Sequence, residues 1–561
     1  MSGRSRIRAA LPAARSGALA VLSAAIAGAG LAGIARGAPS KPPVVGPARG
    51  RPPSQSAKRA PGAGAKVGAG AAKGAGPFLS APAIDPPPLS IAIGRDAASG
   101  SASGAQGAGT PEYIFLAPHN DFADQEPFVG AAGPEIVEPD GRVVWQLPMR
   151  SDKVIDGRPA QLSANDFTTA TYRGEPVLVW WEGYMNPEAT IGGIWVIANR
   201  HYQRIATIRP PRGLQLDLHD IQITPNGMAY VIASRTVSMN LRGCCRGPVH
   251  GQIYDQEILE IDISTGRVVW SWDALAHIPL RESYQRVALR RPWFPYHLNS
   301  IAIGPSGNLI VSARNTWAAY WIKRVGRRDN GAILATLGGR RSTFRLGPGA
   351  RFAWQHDVRP HGSGEVSLFD DEAAPVEGRQ SRGLMLALDW SRHTATVVHQ
   401  YLLPRPQLAG SQGNVEIEPD GNVFVGWGQL PYFTEYSASG RLLYEGVLPG
   451  PDGSYRAFRA PWVGLPSSRP AAVARHLGKG GGVDVYVSWN GATQVASWQL
   501  LAGPSAGRLQ ASGHPVPRQG FQTTIATTGT ARYYAVQALG SAGEVLGQSK
   551  PIRATGAAAR R

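Results

Sequence analysis

Three histidines stand at matching points of a repeated sequence pattern. His219 leads His219-Asp220-Ile221 before the turn Pro225-Asn226-Gly227, and His297 leads His297-Leu298-Asn299 before Pro305-Ser306-Gly307. His356 leads His356-Asp357-Val358 before Ser363-Gly364, and Asn414 holds the corresponding place before Pro419-Asp420-Gly421. A lone histidine at such a point is ordinarily structural, bonded to a neighbouring turn. Three at equivalent points are different, because gathering three imidazoles is costly unless they are used. Two uses compete. The imidazoles, with Asp220 or Asp357 nearby, could bind zinc or another divalent cation. Alternatively, one imidazole is a nucleophile and the others, with Asn299 and Arg314, hold an anion. Arg314 closes the run Val311-Ser312-Ala313-Arg314, which returns from the turn after His297, so antiparallel pairing can bring it beside His297 and Asn299. A guanidinium there lowers cation affinity and raises anion affinity, which favours the second use. A serine or cysteine nucleophile triad has no support. No G-x-x-x-x-G-K-[ST] phosphate loop occurs, which argues against a nucleotide donor.

The elements that must position these residues read as short strands joined by glycine turns. One kind of hairpin is led by the residues above. A second kind follows, as in Asp262-Ile263-Ser264-Thr265-Gly266-Arg267-Val268-Val269-Trp270 and Pro139-Asp140-Gly141-Arg142-Val143-Val144-Trp145. The turn residues supply the positive φ that tight hairpins need, and the flanking alternation supplies one buried face. Two hairpins make a four-stranded sheet. The leading residues are 78, 59 and 58 positions apart, a spacing that fits propeller blades, and residues 111–465 divide into six. The expected fold is therefore all-β: a six-bladed β-propeller over 111–465, whose radial symmetry superposes His219, His297, His356 and Asn414. A two-sheet sandwich would not place them so naturally. After Trp462 the pattern changes, and runs such as Val483-Asp484-Val485-Tyr486-Val487-Ser488-Trp489 predict a small fibronectin- or Ig-like β-sandwich over 466–555.

The chain has 561 residues, of which 43% are apolar and 17% charged, enough to bury a large core. Its net charge of +18 invites a nucleic-acid reading. Twelve of the 57 basic residues and none of the 39 acidic ones lie in residues 1–76, however, which leaves only +6 for the remaining 485. A basic tail, not a basic face, sets the charge, and no nucleic-acid partner is expected. Arg4, Arg6, Arg8 and Arg15 precede an apolar run of small residues, so residues 1–37 read as an export signal and the chain as secreted or held in the cell envelope. Residues 38–110, rich in Pro, Gly, Ala and Lys, are expected to be a disordered tether, whose basic groups offer loose association with an acidic envelope. The only cysteines are the neighbours Cys244 and Cys245, whose spacing excludes a C-x-x-C motif and leaves open a vicinal disulfide or two free thiols.

Several runs, in order, resemble the arylsulfotransferase family of β-propellers. They are Leu218-His219-Asp220-Ile221, Tyr296-His297-Leu298-Asn299, Ser312-Ala313-Arg314-Asn315-Thr316-Trp317, Phe352-Ala353-Trp354-Gln355-His356-Asp357, Leu368-Phe369-Asp370-Asp371, Gln412-Gly413-Asn414 and Ser454-Tyr455-Arg456-Ala457-Phe458. The resemblance covers residues 111–465, and Ser488-Trp489-Asn490-Gly491 is similar to a C-terminal extension in one branch. It implies transfer of a sulfuryl group from an aryl sulfate donor to a phenolic acceptor through a sulfated histidine, with ping-pong kinetics and without a nucleotide donor, metal or cofactor. It further implies His356 as nucleophile, and His219, His297, Asn299 and Arg314 as the groups that hold the sulfuryl and leaving oxygens, with His219 or His297 protonated. Trp317, Tyr320 and Trp354 could stack on aryl rings, although packing in the core is the more ordinary role for each, and Asn414 counts with them as substrate-binding. Asp371 departs from the Asn usual in that branch. The readings that remain against this one are a non-enzymatic binding or scaffold propeller and a hydrolase, including a metal-binding one.

Overall fold

The computed structural model describes residues 78–93, 111–120, 128–149, 153–155, 158–159, 161–186, 189–288, 291–326, 330–450, 452–477, 481–529 and 531–556. The expected export signal, and the expected tether apart from 78–93, lie outside the described residues. Residues 78–93 are a correction to the tether. Leu89 is buried, and Ser90–Ile93 pairs antiparallel with Leu442–Val447 as the outer strand of a sheet. Alternation of Leu89 and Ile91 in a proline-rich setting gives this short stretch one apolar face, which packs beside Tyr444 and Leu448.

The described residues are almost entirely β. Six successive antiparallel sheets, each built on four strands, occupy the stretch between Glu112 and Pro461. Five of them run in chain order from a leading strand: Gln161–Tyr172, Gln215–Ile223, Leu298–Ile303, His356–His361 and Asn414–Ile417. The remaining sheet joins distant parts of the chain. Its strand Glu112–Leu116 pairs with Glu135–Val137 on one side and with Phe458–Pro461, more than 340 residues later, on the other.

Each pair of successive sheets shares its own apolar core. Trp181, Trp195, Leu216 and Leu259 fill one such space; Ile258, Trp272, Leu298 and Val311 fill the next; Leu337, Phe352, Leu368 and Leu384 a third. Phe369, Tyr401, Val415 and Trp427 fill another. The sheet led by Asn414–Ile417 then packs on the one holding Glu112–Leu116, through Phe424, Phe433, Ile114 and Leu116. That sheet in turn packs on the one led by Gln161–Tyr172, through Phe115, Trp145, Phe167 and Trp180. Residues beyond Trp462 form two further sheets that enclose Val485, Val487, Trp498, Tyr534 and Val536. Cys244 and Cys245 are joined as a vicinal disulfide in a one-turn helix, Arg242–Cys245.

Candidate active site

The leading strands interrupt their ladders where their polar residues stand. Register shifts fall between Asn165 and Thr168, Leu216 and Ile221, Leu298 and Ser300, and His356 and Arg359. Such bulges leave residues unpaired and re-aim their side chains. The backbone is also forced into the left-handed region at Asp166 (φ +53°), His297 (+56°), Trp354 (+61°), Asp357 (+56°) and Gln412 (+76°). Non-glycine residues held there cost about 1–3 kcal/mol each and gather at functional sites. Their effect here is that adjacent residues part company. In His219-Asp220 and His356-Asp357 the histidine joins one cluster and the aspartate another.

The first cluster is the three histidines. The Nε2 atoms of His219 and His297 are 2.9 Å apart, and the ring of His356 lies 6.1 Å, centroid to centroid, from each of theirs. His219 and His356 are buried, and His297 is half-buried. His219 Nδ1 contacts the Asp217 carboxylate, so a consistent proton assignment has His219 donating from Nδ1 and His297 donating its Nε2–H to His219 Nε2. His356 Nδ1 lies 2.8 Å from Asp371 Oδ2, while the Gln412 backbone N–H points at His356 Nε2 from 3.3 Å. A donor facing Nε2 requires a lone pair there, which places the proton on Nδ1 and its donation on Asp371.

Arg314 follows the strand Leu309–Ala313, which pairs with the strand after His297, and the Arg314 amide donates to the His297 carbonyl at 2.9 Å. Its guanidinium donates to the carbonyls of Gly410 (2.9 Å), Ala373 and Ala374, and lies over Trp354 at 5.0 Å. Burial, then the charges of Arg314 and of the other imidazoles, holds His356 well below the ordinary imidazole value. Burial, His219 and then Arg314 do the same to His297. His297 is therefore neutral, which corrects the expectation that it could carry positive charge. Arg314 is the cation of the site, itself lowered by burial with Asp371 opposing. Burial raises the Asp371 carboxyl well above the usual carboxylate range, against Arg314. Around the imidazoles, Arg314 Nε, Trp354 Nε1, Asp371 Oδ1, Gln412 Oε1 and Tyr455 Oη are buried without a hydrogen-bond partner. Tyr455, raised well above its normal value by burial, keeps its proton; its ring is 5.6 Å from that of His219.

The second cluster is ionic and was not anticipated. Arg456, with no exposed surface in its side chain, meets Asp166 Oδ1 at 2.8 Å, Asp220 Oδ1 at 3.4 Å and Asp357 Oδ1 at 3.3 Å. Arg359 meets Asp220 Oδ2 at 2.9 Å and Asp357 Oδ1 at 2.8 Å. These residues line a cleft of about 540 Å³ with Thr168, Gln222, His361 and Glu416. The network ties the leading strands together beside the histidines. Its sequence signal was a polar residue followed by aspartate at Asn165-Asp166, His219-Asp220 and His356-Asp357.

The other expected site residues divide. Trp354 stands under Arg314, and Trp317 meets Trp354 edge-on at 5.0 Å but stacks face to face on Tyr284 at 3.6 Å. Tyr320 is a correction: it lies in an inter-sheet core, its hydroxyl donating to Thr316 Oγ1 at 3.0 Å and Glu282 Oε2 at 3.3 Å, because the alternation Ala318, Tyr320, Ile322 faces that core. Asn414 is another. Its Nδ2 donates to the Ala457 carbonyl and its Oδ1 accepts from the Ala457 amide, so both ends of the amide clasp the residue just before the strand Phe458–Pro461. Asn299 is buried and donates to the Gln355 carbonyl at 2.7 Å, next to His356, with its Oδ1 unpaired. The run Gly503-Pro504-Ser505-Ala506-Gly507 reads as G-x-S-x-G, but it sits at the turn between the strands Ser497–Ser505 and Arg508–Ala511, not at a strand-to-helix elbow.

Chemically, the histidine cluster can do one of two things. The ligand atoms of His219, His297 and His356 lie within 4.8 Å of one another, close enough to share a cation. The buried guanidinium beside them instead favours an anion, and the Nδ1–H tautomer of His356 puts a lone pair on Nε2 that can attack one once the long contact from the Gln412 amide gives way.

A family described as Arylsulfotransferase (ASST) matches residues 169–447. No curated protein matches the chain. Among solved structures, a protein of unknown function from Bacteroides caccae is 12% identical over 62% of this chain and 99% of its own, with a TM-score of 0.35. A catalytically inactive virginiamycin B lyase from Staphylococcus aureus with quinupristin is 12% identical over 58% and 77%, with a TM-score of 0.27. A calcium-binding protein, regucalcin, from Agrobacterium tumefaciens is 9% identical over 56% and 79%, with a TM-score of 0.27.

Proposed function

Since residues 169–447 belong to the arylsulfotransferase (ASST) family, we propose that this chain moves a sulfuryl group from an aryl sulfate to a phenol by way of His356. The six sheets are, in this reading, blades set radially about an axis on which the histidines meet. The observation that carries it is the meeting of three imidazoles, two of them buried and one half-buried, with the buried Arg314, amid side-chain donors and acceptors that have no partner of their own.

In the first half-reaction the lone pair on His356 Nε2 forms a bond to sulfur as the S–O(aryl) bond breaks, its electron pair leaving on the phenolate oxygen. Arg314 offsets charge on the sulfuryl oxygens, and the Nε2–H shared by the His219–His297 pair hydrogen-bonds to the departing oxygen, which leaves as the phenolate. In the second half-reaction the oxygen of an acceptor phenolate, its proton released to solvent, bonds to sulfur, and the N–S electron pair returns to Nε2. The sulfuryl oxygens need positioning and charge balance rather than covalent help, as in phosphoryl transfer. The reaction is ping-pong.

Incubation with donor alone, followed by intact mass and peptide mapping, tests this. A single added SO3 group on His356 is the expected result, and no adduct under turnover conditions overturns it. Acceptor dependence of product formation separates transfer from hydrolysis. The basic-then-apolar residues 1–37 support placement of the chain outside the cytoplasm, and a tagged full-length chain recovered only from the cytoplasm overturns that part.

A further inference from the structure

We propose that Asp371 is a positioning residue for His356 that sets both the speed at which the histidine is sulfurylated and the lifetime of the adduct; this rests on the sulfohistidine reading. The placement is built by one hairpin. His356 opens the strand His356–His361 and pairs with Phe369 across the ladder, so the residue after Glu365–Asp370 arrives beside the imidazole. Asp371 is held there from behind: Ser381 Oγ donates to its backbone carbonyl at 2.6 Å and itself accepts from the Ala409 amide at 2.7 Å. Asp370 turns the other way, to Arg382 at 2.8 Å, so only one of the two adjacent carboxyls serves the histidine.

Before attack, Asp371 Oδ2 accepts the Nδ1–H at 2.8 Å and so keeps the lone pair on Nε2, the atom that faces the Gln412 amide. Attack then leaves the ring as an Nδ1-protonated N-sulfoimidazolium. A carboxylate against that proton stabilises the cation or takes the proton, and either change makes the ring a poorer leaving group. The N–S bond breaks with its electron pair returning to Nε2, which is easier from the cationic ring than from the neutral one. Asp371 therefore speeds formation of the adduct and slows its loss. An amide in its place could still accept the Nδ1–H but would carry no charge and take up no proton.

The test is a comparison of the full-length wild-type chain with Asp371→Asn and Asp371→Ala, using 4-nitrophenyl sulfate as donor. Adduct formation is followed by rapid-quench intact mass, and adduct decay after donor removal is followed in buffer and with added phenol. We expect formation to slow by at least about 10–100-fold in Asp371→Asn, the range seen for partners that orient metal-bound imidazoles, and the adduct once formed to decay faster than in wild type. Unchanged rates in both directions overturn the proposal, as does slower formation with unchanged decay, which is the mark of a packing role. Absence of any adduct on the wild-type chain overturns the sulfohistidine reading and this inference together, whereas an adduct indifferent to Asp371→Asn overturns this inference alone. Should the variants fail to fold, ¹⁵N-histidine spectra of the wild-type chain decide: the Nδ1–H tautomer at His356 supports the role, and the Nε2–H tautomer overturns it.

Discussion

At the scale of single residues, the site depends on His297 and His356 being held well below the ordinary imidazole value next to one guanidinium. His356 is held well below 6.5, first by burial and then by Arg314, so it remains an unprotonated nucleophile as pH falls through the range where free histidine gains its proton. The acid limb of the donor half-reaction should accordingly lie below pH 6.5, measured as the single-turnover rate against pH; a midpoint at or above 6.5 contradicts the assignment. Substituting His356→Ala should abolish release of phenol from a chromogenic aryl sulfate while circular dichroism and the melting temperature stay close to wild type. A variant with full activity removes His356 as nucleophile. Since Arg314 biases the cluster toward anions, dialysis against a chelator should leave turnover unchanged, and loss of activity restored by zinc would instead favour the cation. The three histidines were legible in the sequence because a repeat placed them at equivalent points. The roles of Tyr320 and Asn414 were not, since residue type alone does not say which face of a strand packs against its neighbour or which amide is spent on a clasp.

Elements matter here through what their irregularities permit. Regular strands would send His219 and Asp220 to opposite faces of one sheet; the bulge between Leu216 and Ile221 lets the histidine meet His297 while the aspartate meets Arg456. Arg456 then holds three aspartates from three leading strands. Replacing Arg456 with Met leaves those carboxylates with Arg359 alone, and breaking such a buried set by removing one partner costs about 3–5 kcal/mol. Urea unfolding of Arg456→Met should show a loss of that size, and a loss under 1 kcal/mol would mean the network is not structural. The sequence carried the aspartates as a repeated polar-aspartate pair but not their partner, because Asp166 and Arg456 are separated by 290 positions and meet only once several sheets are stacked. The hairpins themselves were legible, since their turn residues and alternation are local. The strand Ser90–Ile93 was hidden by the prolines around it.

For the molecule as a whole, the count of sheets was within reach of repeat spacing, but the pairing of Glu112–Leu116 with Phe458–Pro461 was not, being a contact between ends of the repeat region. Beside that pairing lies Glu135, fully buried with both carboxylate oxygens unpartnered, raised to about 8 by burial and then by the nearby Asp452. Its folded-state value exceeds that of the unfolded chain. The folded form therefore holds the extra proton between about pH 4.5 and 8, and stability falls as pH rises through that interval. Glu135→Gln should flatten this dependence and raise the melting temperature at pH 9 relative to wild type. An unchanged profile would place the proton elsewhere.

The late strand Phe458–Pro461 has one more implication. It is preceded, two residues earlier, by Arg456, so the edge that completes the first sheet and the counter-ion of Asp166, Asp220 and Asp357 reach the molecule on a single short segment. A chain still emerging from the ribosome, or clipped ahead of that segment, owns every histidine of the cluster and yet lacks the guanidinium that ties their neighbouring strands together. Competence should thus arrive abruptly, with that late segment, rather than accumulate sheet by sheet.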